Sequence, residues 1–378
     1  QGPARGPRAA GLLLAALGIA AMPALPAVAP RAQTPPASDV TPADATPLIV
    51  AGKKTTRGKV ESQLSAPVRA ALDEWAEAAD RLELDIVLGD TPEHIVLGRA
   101  RDDTLVDAAK WMDDTFTLLN ALVPRAGSRA PKATVAILVD EKLVHSETWG
   151  LLLAELQRRR LLVDQAVEYL GKDPGGVTLR QTPLFLQPTY DLTGEGEFRL
   201  ENEVVHKFAQ CLLTIRTGQQ PDQILWGLGY VVEQRLFGSS YHYRLRAYVW
   251  SHSHFDWKLK ARKELDARRK AEGFSLAPFA LDAGAAGKPE AAQHLVWAAL
   301  SWLAQADPPA LSGLLLELSA IQAEADPRGV APAWSGDPGR SREALAKTLD
   351  AIEPRQLSDW LGQKPAGKAQ PEDQLKGR

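Results

Sequence analysis

The chain has 378 residues, 45% of them hydrophobic and 24% charged, the balance of an ordinary globular protein with room for one large domain or two modest ones. A formal net charge of −3 lacks the strongly basic character of nucleic-acid binders, so no nucleic-acid partner is expected. The single cysteine, Cys211, excludes an intramolecular disulfide and a cysteine-ligated zinc finger. It sits in an apolar helical stretch and reads as a packing thiol rather than a nucleophile.

At the N-terminus Arg5 and Arg8 precede an apolar run, Ala9 to Ala21, followed by small residues and prolines. This is the order of a secretory signal, and the run is too short for a comfortable membrane span. Residues 1–29 therefore read as a signal peptide, with Ala27-Val28-Ala29 as a candidate cleavage site. The expected location is exported (periplasmic, cell-surface or extracellular), with no transmembrane span after signal removal. Residues 30–58, rich in Pro, Ala and Thr, read as a flexible linker.

From Glu61 to Leu84 apolar positions recur at Leu64, Val68, Leu72, Trp75, Ala79 and Leu82, which predicts an amphipathic helix. His94 to Gly98 is a short strand candidate. Asp102-Asp103 supply the start signal of a long helix that ends before Pro124. Ala133 to Val139 is the clearest strand, and its unbroken apolar character predicts burial on both faces. A helix is expected from Ser146 or Glu147 to about Leu170, then a turn at Asp173-Pro174-Gly175-Gly176. Val177 to Leu186 alternates as a strand does, and Pro183 and Pro188 favour an edge position for it.

The remainder reads as helical. Helices are expected over 201–216 and from about Gln223, with a turn between them at Gln219-Gln220-Pro221-Asp222. The basic stretch from Lys258 to Lys270 is interrupted by Glu264 and Asp266 and reads as a solvated helix face. Two helices joined at Asp307-Pro308-Pro309 cover 290–318, and Ser341 to Leu361 is helical before a polar tail at 366–378. The fold class is α+β: a small mixed β-sheet lobe with helices over 59–200, then a mostly helical lobe over 201–365 that opens on the motif helix. No internal repeat is evident.

The chemistry-bearing segment is Glu201-Asn202-Glu203-Val204-Val205-His206, followed by Trp226-Gly227-Leu228-Gly229-Tyr230-Val231-Val232-Glu233. In an HExxH helix two histidines four residues apart bind zinc and the glutamate between them is general base. Here Asn202 stands at the first histidine position, Glu203 at the base and His206 at the second histidine. The second segment resembles the P-x-W-L-x-E-G-x-A-x-Y stretch of the gluzincin metallopeptidases, a peptidase MA-like family in which a glutamate of the second helix is the third zinc ligand. Aligning Trp226 with the family tryptophan puts the ligand glutamate on Gly229, the next glycine on Tyr230 and a further family glutamate on Glu233. The chain is thus similar to a degenerate gluzincin, over roughly Thr91 to Gly362. The resemblance also implies an edge strand bordering a substrate cleft, which pairs with an extended peptide without metal.

With His206 alone from the implied ligand set, no zinc is expected, since a catalytic site needs three protein ligands and a water. Glu233 lies one turn from Gly229, ~6 Å along the axis, too far for simple replacement. Without metal, Glu203 is expected to pair with His206 or a nearby basic side chain, and Trp226 and Tyr230 to pack the helix interface. The leading expectation is an exported gluzincin-like pseudoenzyme that retains a cleft for a peptide or protein partner. One alternative is an active zinc metallopeptidase, with His206 on the metal and Glu203 as base, completed by Glu233 or by His252 and His254. The other is a helical exported binding protein with an accidental motif match. They differ geometrically: the family reading requires Asn202, His206 and Gly229 to converge.

Overall fold

A computed structural model describes residues 43–91, 93–123, 132–172, 174–179, 182–190, 198–240, 257–282, 289–327, 331 and 333–363. The proposed signal peptide, the first part of the linker and the polar tail lie outside the described residues, as do His242, His252, His254 and Asp256. Within them the protein is α+β, with the strands in the N-terminal half and helices making up the C-terminal half.

In chain order, a 3-10 turn (Ala43–Ala45) leads into β1 (Pro47–Val50), β2 (Lys53–Thr56), α1 (Arg57–Val60), a second 3-10 turn (Glu61–Gln63), α2 (Ala66–Arg81) and β3 (Asp85–Leu88). Then come β4 (His94–Arg99), α3 (Asp102–Leu122), β5 (Thr134–Val139), α4 (Glu141–Val144), α5 (Glu147–Arg158), α6 (Asp164–Lys172), β6 (Val177–Leu179) and β7 (Leu184–Pro188). The helical half runs through α7 (Leu200–Thr217), α8 (Asp222–Phe237), α9 (Trp257–Arg268), α10 (Ala277–Leu281), α11 (Pro289–Ala306), α12 (Pro308–Ala325), α13 (Pro338–Leu349) and α14 (Pro354–Gly362). No helix of the described residues is long and apolar enough to cross a membrane.

The strands form one mixed sheet in the order β2-β1-β3-β4-β5-β7-β6. Neighbours β4, β5 and β7 run parallel, and the outer pairs β1–β2 and β6–β7 are antiparallel. Period-2 alternation sorts the side chains cleanly. Leu48, Ile86, Ile95, Leu97, Ile137 and Leu186 face α2, α5 and α6, whereas Ile49, Val87, Val96, Ala136, Leu138 and Phe185 face α3 and α7. The second of these cores continues without a break through α8, α11 and α12 to α14. A boundary at 200/201 therefore separates elements that share one core.

Three expectations are corrected. Part of the stretch read as a linker is ordered: β1 and β2 form a hairpin, closed by Ala51 and Gly52, both at positive φ, as a two-residue turn of the primed kind demands. Leu48 and Ile49 are buried in the sheet, and this short apolar run outweighs the surrounding Pro, Ala and Thr. The helix expected over 147–170 is two, because Arg160 adopts φ 60 and the Leu161 N–H bonds back to the Leu156 carbonyl, a C-terminal stop. The strand read over 177–186 is two strands. Only β6 is at the edge, and β7, with Pro183 before it and Pro188 as its last residue, lies between β5 and β6. Neither proline removes a donor from the middle of β7. Strand β3 was not expected from the sequence.

Candidate functional site

Helix α7 is buried nearly all round and α8 likewise, so both lie at the centre of the helical half rather than on its surface. Gly218, at φ 77, ends α7, and Pro221 opens α8 at its N-cap. The short link makes the two helices direct neighbours, with Asn202, His206, Gly229 and Glu233 at their contact.

Gly229 sets the approach. A Cβ at that position would lie 2.7 Å from the Cε1 and Nδ1 atoms of His206, so the imidazole occupies the space where a side chain would begin. Glu233, one turn on, meets both motif positions of α7. Its Oε1 is 2.7 Å from His206 Nδ1, and its Oε2 accepts from the Asn202 amide nitrogen at 2.8 Å. That nitrogen also donates to the Ser239 carbonyl at 2.9 Å. Both partners of the amide nitrogen are acceptors, which fixes the orientation of the Asn202 side chain. Asn202, His206 and Glu233 are each 0% exposed.

Spacing alone puts Glu233 too far along α8 for simple replacement at position 229. Its carboxylate does not take the position of Gly229, but it reaches the His206 ring from one turn beyond. Glu203 is held elsewhere, by Lys207 Nζ at 2.7 Å, in a buried i,i+4 pair on the side of α7 that faces Gly176 and Gln187. Of the two expected partners it takes the basic side chain. Tyr230 is buried against the His206 ring, centroids 4.7 Å apart, and against Trp257 at 4.6 Å. Trp226 is buried too, so both aromatic residues pack the interface. Cys211 is a buried free thiol.

The remaining described histidines divide by environment. His145 is exposed at the end of α4. His94 is buried with Thr91 Oγ1 3.2 Å from its Nδ1 and Asp113 Oδ1 3.6 Å from its Nε2, and burial holds its pKa down to about 4 against the opposing pull of Asp113. His294 packs edge-on against Trp257, and burial, with Lys260 adding to it, lowers its pKa to about 3. Neither joins the motif cluster.

Zinc fits these residues poorly. The Glu233 contact on Nδ1 is the kind of outer-shell bond that orients a ligating histidine. Yet Gly229 offers no donor atom, Asn202 turns its amide nitrogen inward, and both Glu233 oxygens already serve hydrogen-bond donors. Among the described residues no group of three or more His, Cys, Asp and Glu is placed to hold a metal ion. A cavity of about 440 Å³ lies away from the motif, between α11, α12 and α13, beside Trp302, Leu314 and Ile352.

No protein-family model matches the chain, and no curated protein matches it in sequence. The contribution of Ser239 was not expected from the sequence, whereas Lys207 is the basic neighbour expected for Glu203. The i,i+4 spacings Asn202/His206 and Gly229/Glu233 are the signal that points to a shared contact.

Proposed function

We propose that the protein is an exported, catalytically degenerate homologue of the gluzincin metallopeptidases that acts by binding a peptide or protein rather than by zinc-dependent cleavage. The observation that carries the reading is the meeting of Asn202, His206 and Gly229 at one buried contact, the convergence that the two-part motif requires. The loss of catalysis is supported by the donor set, in which one imidazole stands where three ligands are needed. Export is supported by the charged, apolar and small-residue order of residues 1–29.

A binding role is supported by β6, a half-buried strand at the end of the sheet, whose outer edge pairs with no strand among the described residues. The test is metal analysis of the purified full chain with a peptide-cleavage assay. The expected result is zinc well below one equivalent and no chelator-sensitive cleavage. One equivalent of zinc with cleavage abolished by chelator would instead establish an active metallopeptidase with an unconventional ligand set.

A further inference from the structure

We propose that Gly229, Asn202, His206 and Glu233 form a metal-independent joint that locks α7 against α8 and pins the chain leaving α8. Gly229 is a required part of this joint and not simply an emptied ligand position. The inference rests on the degenerate-gluzincin reading only in regarding 202 and 229 as former ligand positions. The joint itself rests on the contacts.

The atoms a Cβ at 229 would strike, 2.7 Å from Cε1 and Nδ1 and 2.9 Å from Nε2, belong to a fully buried ring held by Glu233. Such a ring cannot swing aside as the end of a flexible chain can. Glu233 spans from α8 to two side chains on successive turns of α7. Asn202 then extends the contact to the Ser239 carbonyl, just past Gly238, which ends α8 in a left-handed conformation at φ 73. Three segments meet at one buried point. In a metallopeptidase, ligand bonds would join the two helices here; in this chain hydrogen bonds do so, and the carboxylate that would attract a cation is already shared between two donors.

Sign is the test. Gly→Ala inside a helix ordinarily stabilises, since glycine loses the most backbone freedom on folding. Gly313 in α12, with nothing within 4 Å of its Cβ position, is the control, and Gly313→Ala should raise the Tm of the full chain. Gly229→Ala should lower it, and the same substitution in a His206→Ala background should leave Tm unchanged or raise it. A second readout is Asn202→Ala, which should speed hydrogen exchange at Gly238 to Ser240 well above any change in α12. The joint is overturned if Gly229→Ala raises Tm, if it lowers Tm equally in both backgrounds, or if exchange at Gly238 to Ser240 is unaltered. The Tm of the unsubstituted chain should ignore chelator. A fall on chelation would overturn the metal-free reading of the site as a whole, whereas a missing sign reversal in chelator-insensitive protein would overturn the joint alone.

Discussion

Glu233 Oε1 lies 2.7 Å from His206 Nδ1, one helical turn past the glycine on which that imidazole packs. Its second oxygen is used by Asn202, so a single carboxylate serves two buried donors on α7. Truncating it takes this acceptor from the buried His206 Nδ1 and leaves the Asn202 amide nitrogen with the Ser239 carbonyl. We expect Glu233→Ala to cost about 3 kcal/mol in urea unfolding, the range for orphaning buried polar partners. Glu233→Gln keeps one acceptor oxygen but turns an amide N–H toward the other donor, and should cost about half as much. A loss below about 1 kcal/mol for the alanine variant would mean that the contact carries little of the stability.

Glu203 and Lys207 make a different use of the same helix. Both are buried, and their 2.7 Å pair sits one turn apart on α7. Breaking the pair strands a charge: Lys207→Met alone should destabilise by about 3–5 kcal/mol. Replacing both, as Glu203→Leu with Lys207→Met, removes two desolvated charges together and should recover most of that loss. The double-mutant cycle reads the coupling directly, and additive effects would argue that the two side chains act independently.

The pair also marks how far the sequence was legible. An acid–base spacing of four on a helix predicts that Glu203 finds a basic neighbour, and β5 is plain from its unbroken apolar run. The meeting of 202, 206 and 229 follows from spacing once two helices are joined by a short link. What Glu233 does was hidden, because its reach depends on how closely α7 and α8 approach, and that distance is set by a glycine whose role is to be absent. Strands β1 and β2 were hidden for another reason: three apolar residues, Leu48 to Val50, in a Pro- and Thr-rich stretch give too little periodicity to register.

Two buried histidines predict acid lability. His94 is held down to about 4 and His294 to about 3, each chiefly by burial, against an unfolded value near 6.5. Above pH 6.5 both are neutral in the folded and the unfolded chain and pH has no effect through them. Between pH 6.5 and 4 the unfolded chain takes up a proton at each and the folded chain does not, so stability falls as pH falls. Each should contribute a loss of about 3 kcal/mol by pH 4. His294→Leu should flatten the pH profile of unfolding free energy by one proton across that window, and parallel profiles for variant and parent would contradict the assignment.

Two further glycines separate by what they touch. A Cβ at Gly98 in β4 would lie 2.7 Å from the Leu138 carbonyl oxygen and 2.6 Å from Leu105 Cδ2. The carbonyl belongs to the neighbouring strand β5 and cannot retreat without disturbing the ladder that pairs Gly98 with Leu138. Gly98→Ala should therefore cost about 3 kcal/mol, at the upper end of overpacking losses. At Gly227 in α8 the nearest atoms are Leu300 Cδ1 at 2.6 Å and Val296 Cγ1 at 3.2 Å, both ends of side chains on α11. Leu300 can turn, and alanine brings a helix-propensity gain of about 1 kcal/mol, so Gly227→Ala should stay within about 1 kcal/mol of the parent. Equal losses at the two sites in urea titrations would show that the α8–α11 contact is as unyielding as the strand ladder.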